Sequence, residues 1–196
     1  MKLTGSIRNY FRRSEFAKNV LTLMTGTVLA QIIPLAVSPF LTRIYSPDDF
    51  GLFSLYLSVS GMIAVIATGR YEIAIILPKK DEEAINVVSL SFFITLGLFV
   101  LLFIPVIFAN KQITVMLNNP GISNWLYLIP VTVLFSGIIQ SLTYWLNRKE
   151  KYREISVIRV SQAVSINGVQ LFSDKLVSAG LIVGNIIGQG AAFILQ

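Results

Sequence analysis

The feature that most constrains this chain is the alternation of long uncharged apolar runs with short clusters of charge. Between Lys18 and Arg43 lie 24 residues without a charged side chain, where about 20 suffice to cross the hydrocarbon of a bilayer. A second run extends from about Phe50 to Gly69 and continues past Arg70, Tyr71 and Glu72 into Ile73–Leu77. The third, Ala84 to Ala109, is uncharged and reads SFFITLGLFVLLFIPVIF over most of its length. A fourth lies between Trp125 and Asn147, with Trp125 and Tyr127 at one end and Tyr144 and Trp145 at the other, as in an aromatic belt. The fifth, about Ile155 to Ser173, is less apolar and contains Arg159, whereas the sixth, Leu176 to Gln196, is apolar and uncharged. The expected spans are 19–42, 50–77, 84–109, 125–147, 155–173 and 176–196. Residues 1–196 then read as one six-helix bundle of an all-α, multi-pass membrane protein.

Composition narrows the chemistry. Of 196 residues, 54% are hydrophobic and 13% charged, against about 25% charged in soluble domains. Cysteine and histidine are absent, which removes disulfides, thiol nucleophiles, common zinc sites, haem ligation and histidine acid–base chemistry. No cofactor is expected. The net charge of +6 does not indicate a nucleic-acid partner, because the basic residues sit in clusters between apolar runs, as loops do between membrane spans.

Loop charges also orient the chain. Lys2, Arg8, Arg12, Arg13, Lys18, Arg70, Lys79, Lys80, Arg148, Lys149, Lys151 and Arg153 fall on one side, and only Arg43, Lys111 and Lys175 on the other. The N-terminus is therefore expected in the cytoplasm. The triplet Val28, Leu29, Ala30 is a possible signal-cleavage pattern, but the apolar run continues to Leu41, which favours a retained first helix.

Polar groups inside a span are costly, so their positions are informative. On a helical wheel Gln162, Asn167, Gln170, Ser173 and Asp174 share an arc of roughly 140° with Arg159, opposite Val157, Val160, Val164, Leu171 and Phe172. Such a stripe faces protein or a water-filled cavity, unless Arg159 snorkels to the headgroups. Arg70 and Glu72 form a second ionisable patch, either a donor for an anion balanced by its carboxylate or an interfacial anchor. Arg43 lies near Asp48 and Asp49, which suggests an ion pair at a loop end. Gly180, Gly184 and Gly188 make a four-residue ridge suited to close helix packing, with Asn185 and Gln189 placed to hydrogen-bond across it. Pro34, Pro39, Pro105 and Pro130 each remove a backbone bond and favour kinks. No Asp or Glu lies near the middle of a span, so a cavity whose charges are arginines should prefer an anion.

The run QIIPLAVSPFLTRIYSPDDFGLFSLYLSVSGMIAVIATGRYEIAIILPKKDEEA and the later YLIPVTVLFSGIIQSLTYWLNRKEKYREIS resemble bacterial polysaccharide exporters of the MOP flippase superfamily, the O-antigen flippases. The resemblance covers essentially the whole chain and is most specific at TRIYSPDDFG and GRYEIAIILP. It implies an inner-membrane flippase for undecaprenyl-diphosphate-linked oligosaccharide, without enzymatic activity, in lipopolysaccharide or capsule synthesis. The implied partners are that anionic lipid and membrane lipid. It further implies two six-helix bundles around a central cavity, of which this chain supplies the N-terminal one. A truncated product, half of a split protein and a half-transporter that pairs with a second copy or a second half are the three explanations. By this resemblance Arg70 and Arg159, with Glu72, Gln162, Asn167 and Gln170, are the expected substrate-binding residues, guanidinium being suited to phosphate. A multidrug-efflux relative is the alternative, but it would want acidic cavity groups. A membrane-embedded polymerase or ligase would want larger outer loops than 43–49, 110–124 and 174–175.

Overall fold

A computed structural model describes residues 3–173 and 178–196, with only the backbone described for residues 3–16 and for Ser178. Lys2, Asp174, Lys175 and Leu176, used above, lie outside the described residues. The elements are α1 (Leu3–Ile44), α2 (Pro47–Ala64), a 3₁₀ segment (Tyr71–Ile76), α3 (Asp81–Phe108), a short α4 (Asn110–Met116), α5 (Ile129–Arg148), α6 (Tyr152–Phe172) and α7 (Ser178–Ile194). Among the described residues no strand occurs. Among the described residues three helical stretches, Ala17–Ile44, Asp81–Phe108 and Trp125–Arg148, are long and apolar enough to cross a membrane.

Local chemistry explains the boundaries. The segment SPDD starts α2 through a capping box: Asp49 N–H donates to Ser46 Oγ at 3.3 Å and Ser46 N–H donates to Asp49 Oδ2 at 2.9 Å, with Pro47 pre-set for the first turn. Asp49 thus serves as a cap, and Arg43 makes no ion pair among the described residues. Pro130 occupies the first turn of α5, preceded by a 3₁₀ turn over Trp125–Leu128; its missing N–H would be unused there, so it begins a helix instead of kinking one. Pro34, Pro39 and Pro105, by contrast, sit inside α1 and α3. The second apolar run is not one helix. It leaves α geometry after Ala64, turns through left-handed Gly69 (φ 60°) and Arg70 (φ 65°), and resumes as the 3₁₀ segment. A left-handed pair cannot continue a right-handed helix.

Two packed groups make the bundle. In one, α6 lies between α1 and α7; in the other, α3 and α5 enclose the 3₁₀ segment, and α2 packs on α5, while α5 and α2 also touch α7. Contacts from Thr22 to Ser156, Thr27 to Arg159 and Tyr45 to Gln170 show that α1 and α6 run parallel. Gly26 admits Ser156 against the α1 backbone, whose Thr22 carbonyl accepts from Ser156 Oγ at 3.0 Å. The glycine ridge of α7 does the same on the other flank of α6, meeting Ile166, Gln170 and Ser173. Asn185 and Gln189 bond to one another along α7, Nε2 to Oδ1 at 2.9 Å. The largest apolar core joins Tyr56, Ile122, Leu126, Val133 and Ile182. Outside it, Leu35, Phe93 and Phe108 are exposed apolar groups on α1 and α3, which lipid rather than water can cover.

The parallel α1/α6 pair and the contact of Arg148 with Asp81 bring Lys18, Lys79, Lys80 and the α5–α6 turn to one end of the bundle. Arg43, beside Tyr45, lies at the other.

Candidate functional site

At the basic end, α5, α6 and α1 converge on a cavity of about 240 Å³ lined by Leu23, Thr143, Tyr144, Asn147, Ile155 and Arg159. Thr143 and Asn147 on α5, and Ile155 and Arg159 on α6, are four apart and so share a helix face. Arg159 Nη1 donates to Thr27 Oγ1 at 2.7 Å, and among the described residues no carboxylate pairs with it. A guanidinium has five N–H donors in a planar fork, so most remain available to an anion. Tyr144 is expected from sequence only as an interfacial ring. The polar spacing Gln140, Tyr144, Asn147 along the fourth run is the signal that could have assigned it, with Thr143 and Asn147, to a cavity wall.

The remaining expected residues have distinct surroundings. Gln162 is half-buried on α6. Asn167 and Gln170 are buried: Asn167 Nδ2 donates to the Ala163 carbonyl within α6 at 2.7 Å, and Gln170 Nε2 donates to the Leu181 carbonyl of α7 at 3.1 Å. The Gln170 carbonyl accepts from the Tyr45 hydroxyl at 2.7 Å. Arg70 is exposed on the break in the second run and does not line the Arg159 cavity. Glu72 is fully buried, accepts from Thr68 Oγ1 and from Gln140 Nε2 at 3.0 Å, and forms no ion pair with Arg70 among the described residues. Gln140 is thereby a structural partner of the broken segment.

Next to this cavity, Arg148 holds the end of the 3₁₀ segment in place. Its Nη1 donates to the carbonyls of Ile75 (3.2 Å), Ile76 (3.3 Å) and Pro78 (2.7 Å), and its Nε to Asp81 Oδ1 at 3.2 Å. Lys149 also pairs with Asp81 and lies 4.9 Å from the Trp145 ring centroid. The hydrogen bonds from Lys149 and then Arg148 hold the Asp81 carboxyl below its ordinary range. A carboxyl lowered in the fold adds stability above its unfolded value, and that contribution is lost as pH falls through the lowered value. Asp81→Asn should therefore lower thermal stability near neutral pH and flatten its acid limb. Identical pH profiles for the two proteins would show that the pair contributes nothing.

These observations describe an all-helical protein with membrane-crossing helices and a cationic cavity at its basic end. The chain belongs to the polysaccharide biosynthesis protein family, whose model matches residues 16–195. No curated protein and no solved structure matches it. Its role accordingly lies in polysaccharide biosynthesis.

Proposed function

We propose that the chain is the N-terminal six-helix bundle of a flippase that moves undecaprenyl-diphosphate-linked oligosaccharide across the bacterial inner membrane, for O-antigen lipopolysaccharide or capsule synthesis. Family membership supports the class of role. The observation that carries the reading is Arg159, a guanidinium without a carboxylate partner among the described residues, in a cavity among three helices at the basic end. By the distribution of basic loops that end faces the cytoplasm, where a diphosphate made inside the cell would first be met. All six apolar runs cross the bilayer in this reading, the second through its break. A second bundle, from another half or another copy, completes the translocation path and covers the exposed Arg70.

Arginine–phosphate bonds are charge-assisted and bidentate; losing one such contact costs about 1.5–3 kcal/mol. In a strain whose surface polysaccharide depends on this protein, Arg159→Ala should lower surface polysaccharide about tenfold at an unchanged membrane level, with partial recovery in Arg159→Lys. Arg70→Ala should also reduce it. Unchanged export in both alanine variants would refute the anion site.

A further inference from the structure

Beside the Arg159 cavity lies a second one of about 610 Å³, whose walls include Asp81, Asn147, Arg148, Lys149, Glu150 and Tyr152. Asn147 lines both. Their electrostatics differ. In the smaller cavity one guanidinium stands without a carboxylate, whereas in the larger two cations face two carboxylates, and Arg148 and Lys149 are already paired with Asp81. A charge-balanced site has little net attraction for a diphosphate.

What it does offer is alternating acceptors and donors beside an aromatic ring. The carboxylates of Asp81 and Glu150 accept, the Asn147 amide does both, Lys149 donates, and Tyr152 is a half-buried ring at the start of α6. Sugar hydroxyls each donate and accept, and the C–H face of a pyranose packs on an aromatic face, so this is a wall for a neutral polyol. Its volume falls within the roughly 300–1,000 Å³ of small-molecule sites.

We infer that this cavity receives the saccharide unit next to the diphosphate: Arg159 holds the phosphate, Asn147 is shared, and Asp81, Glu150 and Tyr152 read the sugar. The inference rests on the flippase reading above. It adds that selectivity for the glycan is exercised at the basic end, by the turn between α5 and α6, before translocation.

The test uses the protein in lipid nanodiscs and a polyprenyl diphosphate, bare or carrying one glucosyl, galactosyl or N-acetylglucosaminyl unit. At least one glycosylated lipid should bind the native protein fivefold or more tightly than the bare one. Glu150→Gly and Tyr152→Leu should abolish that preference and leave bare-lipid binding unchanged; Arg159→Gln should weaken both lipids alike. Glu150 has a left-handed φ of 57°, where glycine is unstrained, so its replacement removes the carboxylate without burdening the fold. Equal binding of bare and glycosylated lipids, or a preference that survives both turn variants, overturns the saccharide site while leaving the flippase reading standing. Failure of the native protein to bind any of the lipids overturns both.

Discussion

Arg148→Ala is expected to destabilise the bundle by about 3 kcal/mol, because the polar groups left behind have few alternatives. Arg148 is mostly buried, its side chain only 11% exposed, and it donates to three carbonyls at the end of a segment that has left α geometry. The carbonyls of Ile75 and Pro78 are partly buried, and carbonyls freed from regular helix pairing with little access to water must be satisfied by side chains or left at a cost. For a chain of this length, that loss corresponds to a fall of roughly 6–12 °C in midpoint temperature. Lysine should rescue little, since a single ammonium on a flexible stem cannot present the planar fork that reaches Ile75, Ile76, Pro78 and Asp81 together. Lys149→Ala, which removes a half-exposed partner of the same Asp81, should have a much smaller effect. Thermal unfolding of the detergent-solubilised protein followed by size-exclusion fluorescence reads all three. A midpoint within a degree of native for Arg148→Ala would show that the carbonyls find other partners.

The same clamp marks the limit of what periodicity reveals. Apolar run length is a local property, and among the described residues the first, third and fourth runs hold the helices long and apolar enough to cross a bilayer, whereas the helix of the second ends at Ala64. The glycine ridge was equally legible, since four-residue spacing fixes a face whatever packs on it. The break after Ala64 was not, because it depends on partners far along the chain: Glu72 with Gln140, and Arg148 with Ile75. A helical wheel gives azimuth and no more. Arg159, Asn167 and Gln170 share an arc, yet the last two are buried, Gln170 against α7, while Arg159 stays exposed beside α1. The polar stripe is therefore divided along its length, a fact about neighbouring helices that the sequence of α6 alone does not contain. Likewise, Arg148 counts in the sequence as one more loop charge, and only the fold shows it spanning the α5 terminus and the chain before α3.

The α7 ridge permits a comparison in which one chemical change, glycine to alanine, should give opposite signs at positions a few residues apart. A Cβ at Gly184 would lie 2.7 Å from Gln170 Cγ and 3.1 Å from the Ile166 carbonyl oxygen. One at Gly188 would collide with Ile166 Cγ1, and one at Gly180 with the Tyr45 hydroxyl, with Ser173 Cβ at 2.9 Å behind it. Backbone atoms of α6 cannot step aside as a flexible side chain could, so α6 and α7 must separate, and overpacking of this kind costs about 1–3 kcal/mol per site. Gly184→Ala combined with Gly188→Ala should exceed either alone, though not additively, because both act on the same helix pair. Gly188→Leu should leave little folded protein in the membrane. At Gly190 nothing lies within 4 Å of an added Cβ, so there the gain of up to about 1 kcal/mol in helix propensity is unopposed, and Gly190→Ala should be neutral or stabilising. Unfolding midpoints that fell equally for Gly184→Ala, Gly188→Ala and Gly190→Ala would mean that α7 resists any side chain along its length. A loss confined to the two ridge positions would instead trace the close approach to α6, and with it the covering of Gln170.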